Sequence, residues 1–192
     1  FEVPETAELP ARLDTVLEAV YAVYGSGWDD AQGVDARGRG LVTEALWLAR
    51  TLVELLPDEP EARGLLALVL YCEARRPARR TPTGRYVPLA DQDPTAWSHA
   101  MAAEAEAHLH AAARHGRHGR FQLEAAIQSA HATRRIAGVD NWRAIVAIYD
   151  HLLARTHSPV VVLNRAVALE HVDGAERALA GLAPLATDKR MQ

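Results

Sequence analysis

Apolar residues recur along this chain at intervals of three and four, and alternation with a period of two is nearly absent. That spacing predicts amphipathic helices rather than strands. Leu13, Val16, Leu17, Val20, Tyr21 and Tyr24 form a first stripe. Gly25-Ser26-Gly27 follows it and predicts a turn, because glycine weakens a helix and permits left-handed backbone. A second helix is predicted from about Asp35 to Leu56, with Leu41, Ala45, Leu48, Leu52 and Leu55 on its inner face. "LPDEPEA" closes it and opens the next, with Asp58 as N-cap and Pro60 and Glu61 in the first turn. The third helix, about Glu59 to Arg75, is apolar over most of its girth and is expected at the centre of a bundle.

"RRPARRTPTGRYVPLADQDP" comes next, with four prolines and no usable period. A stretch of that length inside a compact domain is either functional or disordered. Helices resume at about 95–115, 120–137, 141–156 and 159–171, and again from Gly174. The last two are joined by an Asp-Gly turn, and Ala166 and Ala178 are small enough to let them approach closely. This pair is similar to a tetratricopeptide hairpin whose large aromatic positions are unfilled. The expected fold is all-α: antiparallel helical hairpins, a bundle passing into a tetratricopeptide-like solenoid. An N-terminal subdomain, 1–94, would carry the loop at about 76–94. A hairpin subdomain, 95–192, would pack on it as one unit.

Composition narrows the function classes. With 192 residues, 49% of them hydrophobic, the chain can bury a substantial core. A formal net charge of −4 lacks the basic footprint that phosphate binding demands. The single cysteine, Cys72, permits no internal disulfide and points to a reducing cytoplasm. The longest apolar run, "GLLALVLYC", is too short for a membrane span. Phe1 in place of an initiating methionine reads as a piece of a longer protein.

Asp91, Gln92 and Asp93 are the first candidate site. In one reading Asp93 is an N-cap, Pro94 the first helical residue, and the helix continues through Trp97 and Met101. Asp91 and Gln92 would then pin the loop to backbone amides. In the other, the three contact a ligand or partner. Acid–base catalysis needs a second tuned group, and none stands out, so no catalytic residue is assigned. Glu104 and His108 share a helix face, and His110, His115 and His118 crowd the same segment. No His-Glu-x-x-His or cysteine pair accompanies them, so neither metal nor cofactor is assigned.

Arg75, Arg76, Arg79, Arg80 and Arg85, with Arg114, Arg117 and Arg120, concentrate the positive charge. They read either as solvated cations at helix C-termini or as a dock for an acidic surface or phosphate. Arg76, Arg79, Arg80 and Arg85, together with Asp91, Gln92 and Asp93, make up the expected interaction surface. Glu44, Gln122, His131, Asn164 and Arg165 interrupt apolar faces. Buried polar groups require partners, so these five are expected to form a structural network between helices, or else to line a polar groove for a peptide.

Several blocks in order resemble one known group. "FEVP", "LPDEPEARGLLALVLYCEARRPAR", "DQDPTAW", "FQLEAAIQSAHA", "NWRAIVAIYDHLL" and "SPVVVLNRAVAL" are similar to ECF-subfamily RNA polymerase sigma factors with a long, helical, tetratricopeptide-like C-terminal extension. Arg39, Glu44, Ala45 and Arg50, and Asp91, Gln92, Asp93 and Trp97, match that pattern residue by residue. Tyr24-Gly25-Ser26-Gly27-Trp28 departs from the family's Phe-Asn-Glu-Gly-Tyr-like stretch and lacks its Asn and Glu. The resemblance implies a cytoplasmic, non-catalytic regulatory domain. Its partners would be RNA polymerase and its own upstream sigma domains, with promoter DNA bound only by domains outside this chain and with no membrane. Further repeat helices would follow Gln192. An acidic extension of this kind would lie against a basic DNA-reading domain or hold the sigma domains in place. Two rivals stand beside this: an enzyme or small-molecule sensor with Glu44, Asp91 and His131 converging in a cleft, and a free-standing peptide-binding repeat module.

Overall fold

The computed structural model describes residues 8–28 and 36–191, and among these eight α-helices account for most of the chain. They are α1 (Leu9–Trp28), α2 (Ala36–Leu55), α3 (Pro60–Ala74), α4 (His99–Ala113), α5 (Arg120–Ala137), α6 (Trp142–Thr156), α7 (Pro159–Asp173) and α8 (Ala175–Gly181). No strand forms among the described residues beyond one isolated antiparallel bridge, Arg80 to Tyr86, so the fold is all-α. "FEVP", Asp35 and Gln192 lie outside the described residues, as do the side chains of Trp28 and Arg39.

α3 is central, as its girth of apolar residues predicts. Every residue from Gly64 to Cys72 is buried, and the helix packs on α4 and α5 while also touching α1 and α2. Its N-cap is Glu59 rather than Asp58: Glu59 Oε1 accepts from the Glu61 amide at 3.1 Å. Pro60 takes the first helical position and so places the cap one residue before itself.

The turn expected at Gly25-Ser26-Gly27 does not form, and α1 runs straight through it. Tertiary contacts outweigh a glycine cost of about 1 kcal/mol each. Tyr24 is buried and its hydroxyl donates to Glu73 Oε1 at 2.8 Å, Gly27 is buried, and Ser26 Oγ donates to the Ala22 carbonyl at 2.9 Å. The inner face of α2 also differs from the leucine stripe. Val42, Ala45, Ala49 and Val53 are buried, whereas Leu41 and Leu55 are exposed. The small residues bring α2 closer to its neighbours than leucines would.

α4 begins at His99, later than expected. Asp93 caps only a single 3-10 turn, Pro94–Ala96, accepting from the Thr95 amide at 2.9 Å. The backbone then extends at Trp97 so that its indole is buried, and Ser98 becomes the true cap, accepting from the Met101 amide at 3.4 Å. The Ser98 amide donates to the Ala74 carbonyl at 2.7 Å, tying this break to the end of α3.

Two apolar clusters result. The larger joins α1 to α5 around α3, and α4 contributes Ala105 to it although the sequence grouped that helix with the C-terminal half. The smaller takes Leu123 and Ile127 of α5, Leu152 of α6 and Val161 of α7. α5 is therefore a shared wall, with Phe121 and Ala125 facing the first cluster and Leu123 and Ile127 the second. α7 and α8 pack together across Gly174, whose φ of 85° suits the Asp-Gly turn, and Ala166 and Ala178 are buried.

Candidate interaction trough between the helices

α5 has no side-chain cap of its own, because its N-cap is Gly119. Glu61 of α3 supplies one from outside. Its carboxylate accepts from the Phe121 amide (2.9 Å), the Gln122 amide (3.1 Å) and Gln122 Nε2 (2.9 Å). A carboxylate at a helix N-terminus also complements the macrodipole. A Cβ at Gly119 would stand 2.0 Å from Glu61 Cδ, so any larger residue there must displace the Glu61 carboxylate from the helix end. Gly64 is more tightly constrained, since a Cβ there would lie 2.6 Å from the Gln122 amide nitrogen, a backbone atom that cannot swing aside. These contacts fix α5 against α3 and so set one wall of the site.

Along α5, Glu124, Gln128, His131 and Arg134 form that wall. Facing them, α7 presents Val160, Asn164, Val167 and His171. Tyr149 and Trp142 of α6 lie between, and Arg75, at the C-cap of α3, closes the side. Two cavities, about 470 and 640 Å3, share Arg75, Gln128, Tyr149 and Asn164 and so adjoin end to end along a trough.

The larger cavity is lined by two arginines and two histidines and by no carboxylate. Trp142 organises that end. His171 stacks on its ring at 3.9 Å and 9°, the Arg134 guanidinium lies 4.3 Å from its centroid, and His131 meets it edge-on at 5.7 Å. Burial, then Arg134, Arg75 and His171, push the His131 imidazole down to about 4, so it is neutral at pH 7. Its buried Nδ1, and Arg134 Nε, have no hydrogen-bond partner among the described residues. The one acid lining the trough, Glu124, is held by Arg120 at 2.7 Å.

The sequence-singled residues meet different fates. The loop is an ordered small hairpin: the Thr81 amide donates to the Arg85 carbonyl at 2.9 Å and the Val87 amide to the Arg79 carbonyl at 2.8 Å. Gln92 does not belong to a surface, since it is fully buried, with Nε2 donating to the Val87 carbonyl at 3.0 Å. It pins the loop through a carbonyl rather than through an amide. Asp91 is exposed, and Asp93 caps its own turn. Arg76 pairs with Glu73 at 2.8 Å, Arg80 donates to the Gly84 carbonyl at 2.9 Å, and Arg79 lies half-buried beside the Tyr86 ring, while Arg85 is exposed.

The expected network of Glu44, Gln122, His131, Asn164 and Arg165 does not assemble. Glu44 and Asn164 are exposed, Gln122 bonds to Glu61, Arg165 pairs with Asp150, and no hydrogen bond joins any two of the five. His131 and Asn164 do line the trough, whereas Glu44 and Asp91 do not, so the sensor's triad does not converge. Among the described residues no group of three or more His, Cys, Asp or Glu side chains stands together to hold a metal. Glu104 instead pairs with Arg50 at 2.9 Å, and His110 with Glu106 at 3.0 Å. No helix of the described residues is long and apolar enough to cross a membrane.

A family model described as "Family of unknown function (DUF6596)" matches residues 12–113, more than half of the chain. The chain belongs to the DUF6596 family. It is also 40% identical over 185 residues to "Uncharacterized protein R00370" of Rhizobium meliloti (strain 1021), covering 96% of this chain and 44% of that protein. The DUF6596 chain thus spans less than half the length of this relative. No solved structure matches it. The family match ends at Ala113, the last residue of α4, whereas the similarity to the Rhizobium protein extends over nearly the whole chain and so takes in the helices of the trough.

Sequence reasoning missed Gln128, Arg134, Trp142 and His171. A signal was present: Gln128, His131 and Arg134 recur every three residues, and Asn164 and His171 lie seven apart, each set on one helix face.

Proposed function

We propose that this chain is a non-catalytic regulatory and interaction domain of an ECF-type sigma factor, acting in the cytoplasm. Its helical pairs are tetratricopeptide-like, and the trough between α5 and α7 is the concave face such a stack presents. It modulates transcription initiation through contacts with its own sigma domains, with RNA polymerase or with a partner protein. Promoter DNA is left to other domains. The ordered sequence blocks support this reading. So does the extra length of the Rhizobium relative, more than half of which lies outside the match and leaves room for further domains.

The observation that carries it is the character of the trough. It extends across several helices as two adjoining cavities with shared lining residues, and among the described residues its one carboxylate is already paired with Arg120. An elongated groove of that kind, with cationic and carboxamide groups spaced along it, is suited to gripping a chain segment.

The test is transcription reconstituted from bacterial RNA polymerase and the full-length protein that carries this chain. Removing residues 9–191 is expected to change promoter-specific initiation several-fold while polymerase binding persists. Identical initiation with and without the helices, or no polymerase binding by the full-length protein, sinks the proposal.

A further inference from the structure

The trough has a definite length. Val160 and His171 stand at opposite ends of its α7 wall, eleven residues apart, which at about 1.5 Å per residue is about 16 Å. An extended peptide covers that distance with about five residues at about 3.3 Å each. A compact small molecule would occupy one of the two cavities and leave the other open.

Its charge is equally definite. The chain as a whole carries a formal net charge of −4, yet the larger cavity collects the two guanidinium groups of Arg75 and Arg134, beside the neutral His131, without one carboxylate among its described lining residues. Arg134 holds its guanidinium against the Trp142 face, which orients the fork. Arg134 Nε is buried without a hydrogen-bond partner among the described residues. A buried donor of that kind gains most from an ionised acceptor. At the middle of the trough, where the cavities meet, Gln128 and Asn164 face each other. A carboxamide offers a donor and an acceptor together, which is what a passing peptide unit requires. Val160 and Val167 are more than half exposed, at 55% and 56%, and provide apolar seats between the polar groups.

We propose that the trough binds an extended acidic peptide segment of a partner protein, its carboxylates received by Arg75 and Arg134 beside Trp142 and its backbone by Gln128 and Asn164. This rests on the reading of the chain as an interaction module and adds the chemistry of the partner. It holds whether or not that partner belongs to the transcription machinery.

The test uses the 192-residue chain and a fluorescein-labelled decapeptide of alternating Glu and Ala, with a Lys-for-Glu peptide as control, read by fluorescence anisotropy at low ionic strength. The Glu peptide is expected to bind and the Lys peptide not to. Arg134→Glu should weaken binding about ten-fold or more, as loss of a charge-assisted contact implies, whereas Arg114→Glu at an exposed position outside the trough should not. Asn164→Asp, also exposed, keeps the test decisive should Arg134→Glu misfold, and it should weaken binding several-fold. No binding of the Glu peptide overturns the proposal, as do equal losses in the Arg114 and Arg134 variants or an unaffected Asn164→Asp. Competition by inorganic phosphate or free glutamate as tight as the peptide itself would also overturn it, by making this a small-anion site. Failure here with the transcription effect intact sinks only the acidic-peptide assignment. Peptide binding without a transcription effect sinks only the sigma-factor reading.

Discussion

Replacing Glu61 by alanine removes the only side-chain cap of α5 from a helix that belongs to neither the same turn nor the same hairpin. Three donors lose their acceptor: the amides of Phe121 and Gln122 and the Gln122 carboxamide. Phe121 and Gln122 are both 3% exposed, so those donors do not simply turn to solvent. A surface hollow of about 400 Å3 beside Glu61, Gly119 and Gln122 admits water, which puts each donor near the lower end of the usual penalty. About 1 kcal/mol per donor gives about 3 kcal/mol, or a fall in melting temperature of about 6–12 °C for a domain of this size. Gly119→Ala should cost a similar amount by another route, because its Cβ would stand 2.0 Å from Glu61 Cδ and 2.4 Å from Oε2 and would expel the carboxylate. Without Glu61 that clash is gone, and the same substitution should cost less than about 1 kcal/mol, the difference between glycine and alanine as N-caps. The double-mutant cycle therefore predicts a coupling of about 2 kcal/mol. Urea unfolding followed by far-UV circular dichroism measures all four corners, provided the m-values agree. Equal costs of Gly119→Ala in the two backgrounds would refute the reasoning.

Gly64→Ala should destabilise by about 2–3 kcal/mol, because its Cβ meets the Gln122 backbone nitrogen at 2.6 Å and α3 and α5 must separate; a urea midpoint equal to the parent's would contradict this. Gln92→Ala strands the Val87 carbonyl and opens a void beneath the loop, so trypsin should cut after Arg79 or Arg85 about ten-fold faster or more, and an unchanged rate would show the anchor to be dispensable. His131 titrates at about 4 when folded against an ordinary 6.5, so the unfolded chain binds the extra proton between those values. Its contribution is complete above about pH 6.5 and is lost as pH falls toward 4, at up to about 1.4 kcal/mol per pH unit. His131→Gln should flatten the stability–pH curve in that window, and parallel curves would argue against a buried neutral imidazole.

Legibility in the sequence followed the range of the interaction. α3 announces itself because a helix apolar all round has nowhere to go but the centre, and the Asp173-Gly174 turn because only that backbone suits it. The inner face of α2 was legible in part: Ala45 is buried and Leu48 and Leu52 pack on the core as read, but Leu41 and Leu55 are exposed, and Val42, Ala49 and Val53, which drew less attention than the leucines, are buried in their place. The continuity of α1 through two glycines depends on Tyr24 reaching Glu73, forty-nine positions away. The cap of α5 depends on a residue sixty positions upstream. Nothing local to Gly119 encodes it. The trough follows the same rule: several helices each lend it a few polar residues, unremarkable singly and meaningful only once the helices are side by side.

The same reasoning revises what net charge says about partners. An acidic total suggests a basic surface as the natural neighbour, and the outer faces of this chain still permit that. A total is a sum over the whole molecule, however, and in physiological salt a charge is felt over only about 8–10 Å. A segment lying in the trough meets Arg75 and Arg134 at contact distance, with Glu124 already neutralised by Arg120 and the acids of the outer surface screened. Locally the sign is reversed. A helical array of this construction can therefore present one polarity on its exterior and the opposite in its groove, a separation that would discriminate between two classes of partner. A like-charged segment brought to the wrong face is repelled, so the separation of charge between surface and groove is a source of selectivity.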